Sequence, residues 1–117
     1  MLFRSRRVDV IISGGLNVYS LEVEQVINRI PGVVESAVVG IPHELWGEAV
    51  AAFVVCEPGA VISESAVIAR CRAELAHFKA PQIARFPAEL PRNAMGKLDK
   101  RALRASYWSG RGRSIAG

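Results

Sequence analysis

The stretch "LPRNAMGKLDKRAL" (90–103) sets a lysine behind a glycine, past a proline-opened turn and just ahead of a helical pattern. Pro91, Asn93 and Gly96 are turn formers, so Lys97 projects from a loop of defined backbone shape. A compact ammonium on a long stem can reach across a gap to a developing negative charge, which is what phosphoryl and adenylyl transfer require. Taken alone, a surface lysine near a helix start is more often a solvated charge. "SGG" (13–15), a few residues ahead of another helical pattern, could cradle a phosphate through backbone amides. It is neither GxGxxG nor GxxxxGK[ST], and a hairpin needing positive φ explains the same glycines. Trp46 and Phe78 fall outside the periodic core positions, either as exposed aromatics for stacking a planar ligand or as residues at the edge of the core. His43 and His77 have no Ser, Cys or carboxylate at a triad spacing, and Cys56 and Cys71 belong to no metal-binding cluster.

The whole chain limits what those residues can do by themselves. Its 117 residues, 50% hydrophobic and 22% charged, make one folded domain with a modest core, smaller than a complete large active site needs. The net charge of +4 favours anionic partners. Basic residues gather at Arg4, Arg6 and Arg7 and again from Lys97 to Arg113, without interleaved aromatics or a docking motif, so no nucleic-acid partner is expected. No apolar run is long enough to span a membrane, and "MLFRSRRVDV" lacks the apolar stretch of a secretory signal. The expectation is a cytoplasmic protein without a membrane partner, its cysteines acting as small buried hydrophobes.

The elements that must position these residues follow from periodicity. Residues 8–12 and 16–20 are short extended runs around Gly14-Gly15, a hairpin-like pair. From Ser20, a candidate N-cap, Leu21, Val23, Val26, Ile27 and Ile30 share a helical face that Pro31-Gly32 ends. "VVESAVVGI" (33–41) and "EAVAAFVVCE" (48–57) read as the central strands, and "SESAVIARCRAEL" (63–75) as a second amphipathic helix capped by Ser63. Residues 83–86 give a third strand and 98–107 a short last helix, leaving 108–117 as a flexible tail. The predicted class is α/β (α+β): a small mixed sheet of about three strands flanked by helices and preceded by a short β-hairpin.

Four motifs in order, "RSRRVDVIISGGLNVYSLEVEQVI", "AVVGIPHELWGEAVAAFVV", "FKAPQI" and "LPRNAMGKLDKRALR", strongly resemble the small C-terminal domain of adenylate-forming enzymes. That superfamily comprises acyl-CoA synthetases, peptide-synthetase adenylation domains and luciferases. The likeness runs from about residue 6 to 105, and implies a hinge remnant at 1–8 and the domain at 9–107. Such enzymes activate a carboxylate with ATP and Mg to an acyl-adenylate and pass the acyl group to a thiol or amine, the small domain rotating between the two steps. By resemblance, Lys97 is the lysine that reaches into the large N-terminal adenylation domain during adenylation, and that domain is the implied partner, in the same chain or in trans. Arg6 matches a hinge arginine that meets the ribose. Gly14 and Gly15 match glycines that leave room for a pantetheine arm, and Trp46, Phe78 and Lys79 match the region that meets the nucleotide end of CoA.

"ISGGLNVYSLEVE" is closer to the acyl-CoA ligase form, so a carboxylic acid activated for CoA is the expected substrate class. The chain departs from the pattern at Val8, at Leu16 and at Ala80 and Gln82, the last two standing where several CoA ligases carry basic residues. An amide-bond synthetase lobe, or a non-catalytic interaction module derived from this domain, are the competing readings. The large domain's phosphate loop is not in the sequence, so activity is expected only when such a domain is supplied.

Overall fold

The computed structural model describes residues 10–108. The hinge segment, with Arg6 and Val8, and the tail from Ser109 onward lie outside the described residues. Strands β1 (Val10–Ser13) and β2 (Leu16–Tyr19) form a tight hairpin, and α1 (Ser20–Ile27) follows directly. Then come β3 (Val33–His43), β4 (Gly47–Cys56), α2 (Glu64–Glu74), a 3-10 turn (His77–Lys79), β5 (Ile83–Arg85) and α3 (Lys100–Trp108).

The long β3–β4 hairpin organises the molecule. The central stretches of its strands, 36–41 and 49–55, are buried throughout because both faces are covered, and they are correspondingly apolar. Val38, Val50, Ala52 and Val54 point to one cluster, built with Val23, Val26, Ile27, Val67 and Cys71 of α1 and α2. Val39, Ile41, Ala51, Phe53 and Val55 point the other way, to Leu90 and the partly buried Leu98 and Leu103. The alternation is the period of two expected of a pleated strand. Burial pushes the Cys71 thiol up to about 11, and both described cysteines are free.

The sheet has five strands where about three were expected, because the N-terminal hairpin joins it instead of preceding it. The order is β2-β1-β4-β3, with β5 parallel to β4. One edge of β4 is shared: β1 meets it at a single position, Ser13 opposite Gly47, and β5 takes residues 51–53. No stretch of sequence advertises a one-residue junction.

Ser63 caps α2 as expected, its Oγ accepting from Ala66 N at 3.1 Å. Ser20 does not cap α1. The cap position is Tyr19, without a side-chain bond, and Ser20 is the buried first helical residue whose Oγ accepts from Lys100 Nζ at 3.1 Å. Leu21, placed with the apolar face on periodicity, is exposed. α3 starts at Lys100, two residues later than expected, because Asp99 ends the preceding turn: its Oδ1 accepts from Ala102 N. Among the described residues no helix is long and apolar enough to cross a membrane.

Candidate functional site

Lys97 sits on a turn built almost entirely from hydrogen bonds. Asn93 Oδ1 accepts from Met95 N at 2.8 Å and Lys97 N at 3.0 Å, while Asn93 N donates to Lys97 O and Gly96 N to Asn93 O. Gly96 has φ +81°, which only a glycine adopts without strain. The turn is closed by an isolated bridge between Arg92 and Leu98 and by Asp99 N donating to Pro91 O. Arg92 then pins it to the sheet, both Glu35 oxygens accepting from its Nη2 at 2.7 Å. The backbone is therefore fixed while the Lys97 side chain stands in solvent.

The other two lysines are used inside the domain. Lys79 pairs with Glu22 at 3.0 Å. Lys100 pairs with Glu24 at 2.5 Å, with side chains only 15% and 12% exposed. Glu24 Oε2 also accepts from Val38 N, an outward-facing amide of edge strand β3, so one carboxylate covers the sheet edge and anchors the start of α3. Lys97 alone of the three has no ion-pair or hydrogen-bond partner for its ammonium among the described residues. Lys100 and Glu24 are a positioning pair that the sequence did not single out, because Lys100 read as one of a crowd of terminal basic residues.

A second site lies at the far end of the β3–β4 hairpin. Ser13, Gly14, Leu16, Trp46, Phe78 and Gln82 line an open cleft of about 210 Å³. Gly14 carries φ +59° and donates its N–H to Trp46 O at 3.0 Å, and a Cβ there would lie 3.9 Å from Trp46 Cδ1, on the cleft wall. His43, the last residue of β3, stacks on Trp46 with centroids 4.1 Å apart, and its Nδ1 accepts from Leu45 N and Trp46 N. One face of the indole is thus taken by protein.

Of the expected acceptor-binding residues, Gly14, Trp46 and Phe78 come together here. Gly15, at φ +85° in the same turn with open space around it, does not line the cleft, and neither does the ion-paired Lys79. Of the two departures near Pro81, Gln82 faces the cleft, whereas Ala80 is 1% exposed inside the α1–α2 core. The lining offers two aromatic walls, a bare glycine backbone and the polar ends of Ser13 and Gln82, with no cationic side chain. That chemistry fits a thin, mostly apolar chain with a few amide groups; a phosphate would find no charge partner in it. Among the described residues no group of His, Cys, Asp or Glu is arranged to hold a metal ion.

The profile of the AMP-binding enzyme C-terminal domain matches residues 22–97, ending on Lys97. The chain is 50% identical over 99 residues to 3-[(3aS,4S,7aS)-7a-methyl-1,5-dioxo-octahydro-1H-inden-4-yl]propanoyl:CoA ligase of Rhodococcus jostii, a match covering 85% of the chain and 19% of that ligase. Among solved structures, ATP-bound MatB from Rhodopseudomonas palustris superposes with TM-score 0.82 at 48% identity, over 85% of this chain and 20% of that one. The amide bond synthetase McbA from Marinactinospora thermotolerans gives 0.81 at 36% identity, over 89% and 21%. The chain spans about a fifth of the length of the relatives it matches. By motif order, fold and identity, the chain belongs to the AMP-binding enzyme C-terminal domain family, the small domain of the adenylate-forming enzymes.

Proposed function

We propose that this chain is the catalytic small lobe of an acid–thiol (acyl-CoA) ligase, supplying Lys97 to a large N-terminal adenylation domain. The observation that carries the reading is the pairing pattern of the lysines: Lys79 and Lys100 are neutralised within the domain, and Lys97 is presented on a rigid turn with its charge unspent. In the first step a carboxylate oxygen bonds to the α-phosphorus of ATP and pyrophosphate leaves. The Lys97 ammonium lies against the oxygens on which charge develops, an electrostatic role that needs no proton to move. Holding ATP and its Mg falls to the large domain.

In the second step the thiol sulfur bonds to the acyl carbon and AMP leaves. The cleft at the opposite end of β3 would admit the arm that carries the thiol, with Gly14 leaving the passage open. Glu35, which anchors the lysine turn, and His43, which backs the cleft, are about 26 Å apart at the usual strand rise. One rigid domain cannot offer both ends to one reaction centre at once, which supports rotation of the lobe between steps. Free cysteines suit a reducing, cytoplasmic setting.

A second reading, the lobe of an amide-bond synthetase, draws on the uncharged cleft with Gln82 at its wall and on the likeness to McbA. The test is to mix the chain with the large domain of a homologous ligase and a panel of carboxylic acids, then offer CoA or amines. The ligase reading expects ATP–pyrophosphate exchange only on mixing, and thioester with CoA. Amide formation without thioester selects the synthetase, and a complex with no exchange leaves a non-catalytic interaction module.

A further inference from the structure

The hairpin that forms one wall of the cleft is held to the sheet by very little ladder. β1 has one residue paired with β4, Ser13 opposite Gly47, supplemented by the bond from Gly14 N to Trp46 O. Ile11 and Val18 root the base of the hairpin in the core, but the glycine turn extends beyond them. Where the next rung of the ladder would lie, the amide of Ile12 donates instead to Glu48 Oε1 at 2.8 Å.

Glu48 is a built acceptor rather than a passing surface carboxylate. Its Oε2 accepts from Arg104 Nη2 at 2.6 Å, and Arg104 Nε donates to Gly40 O at 3.1 Å, so the guanidinium is itself fixed to β3. Room for the carboxylate comes from Gly40, where a Cβ would lie 3.0 Å from both Glu48 Cδ and Oε1. Gly40 has no need of glycine for its backbone angles, since its φ is not among the positive ones. Space for Glu48 is the reason the structure supplies for a glycine in the middle of a strand. Glu48 and Arg104 are 17% and 27% exposed, which keeps the pair partly shielded from water.

We propose that Glu48 is a positioning residue for the cleft: its carboxylate, oriented by Arg104 and given room by Gly40, sets the place of the Gly14 turn against Trp46. The claim rests on the reading of that cleft as the entry for the acyl acceptor. Its energetic logic is a charge-assisted bond standing in for a missing ladder, stronger than the neutral rung it replaces. A glutamine at 48 keeps an oxygen for Ile12 N and loses the charge that Arg104 meets.

Two readouts test it. In the isotopically labelled 117-residue chain, hydrogen exchange at the Ile12 amide should quicken about tenfold in Glu48→Ala and in Gly40→Ala, and stay within about threefold of the parent in Glu48→Gln. With a large domain supplied, the KM for CoA in thioester formation should rise about tenfold in the first two variants while ATP–pyrophosphate exchange changes less than about twofold, and Glu48→Gln should restore most of the loss. Unchanged Ile12 exchange overturns the proposal, as does quickened exchange with an unaltered KM for CoA. If the parent chain supports no pyrophosphate exchange, the acyl-ligase reading fails with it, while the Ile12 amide still decides whether Glu48 holds the turn.

Discussion

The two ends of the β3–β4 hairpin solve different problems with different materials. At the Glu35 end, a turn is stiffened by Asn93, a left-handed Gly96 and a doubly bonded Arg92, and it leaves one charged side chain in solvent. At the His43 end, aromatic rings and a bare glycine leave a gap whose lining holds no charged side chain, and Lys79, next to Phe78, is paired with Glu22. A rigid base under a flexible, charged arm suits delivery to a centre on another domain; an uncharged gap suits the passage of a chain. The contrast implies that damage at one end should spare the chemistry of the other.

The largest separation is expected from Lys97→Ala. Losing one electrostatic donor costs about 10²–10³ in rate, so pyrophosphate exchange should fall by that factor, with thermal unfolding unchanged because the side chain is exposed. Next is Lys100→Met, which strands the partly buried Glu24 carboxylate. It should cost about 3 kcal/mol of stability in urea titration, and the double variant Lys100→Met/Glu24→Gln should lose less than the single one. Gly14→Val would place methyl groups on the cleft wall at φ +59° and should slow acyl transfer to CoA about tenfold, with pyrophosphate exchange kept within about twofold. Smallest is Arg92→Ala: its pair with Glu35 is exposed, so adenylation should drop only about threefold.

The sequence was readable where a pattern has a period or a turn has a chemistry. β3, β4 and α2 fell within a few residues of the expected places, and the Ser63 cap and the Lys97 turn followed from residue types alone. The clamps were invisible because they join residues far apart in the chain: Lys100 to Glu24, Arg104 to Glu48, Glu48 to Ile12. Glutamates in a strand or on a helix look like solvated charges until the fold brings a bare amide to them. Ser20 illustrates the same limit: the residue type and position suit a cap, yet its hydroxyl was claimed by a lysine eighty residues away. The glycine hairpin was recognisable, but its fusion to the sheet rests on one residue pair and a side chain. Gly14, at positive φ, lies on the cleft wall beside Trp46, while Gly15 and Lys79 do not line the cleft.

The most direct test is to measure the two half-reactions separately in a complex of this chain with a large adenylation domain, comparing Lys97→Ala with Gly14→Val. Pyrophosphate exchange reports formation of the acyl-adenylate, and CoA thioester formed from supplied acyl-adenylate reports transfer. Two separate ends predict that Lys97→Ala loses exchange and transfers normally, while Gly14→Val exchanges normally and transfers poorly. Parallel loss of both steps in both variants would contradict the division of labour between the lysine turn and the glycine cleft.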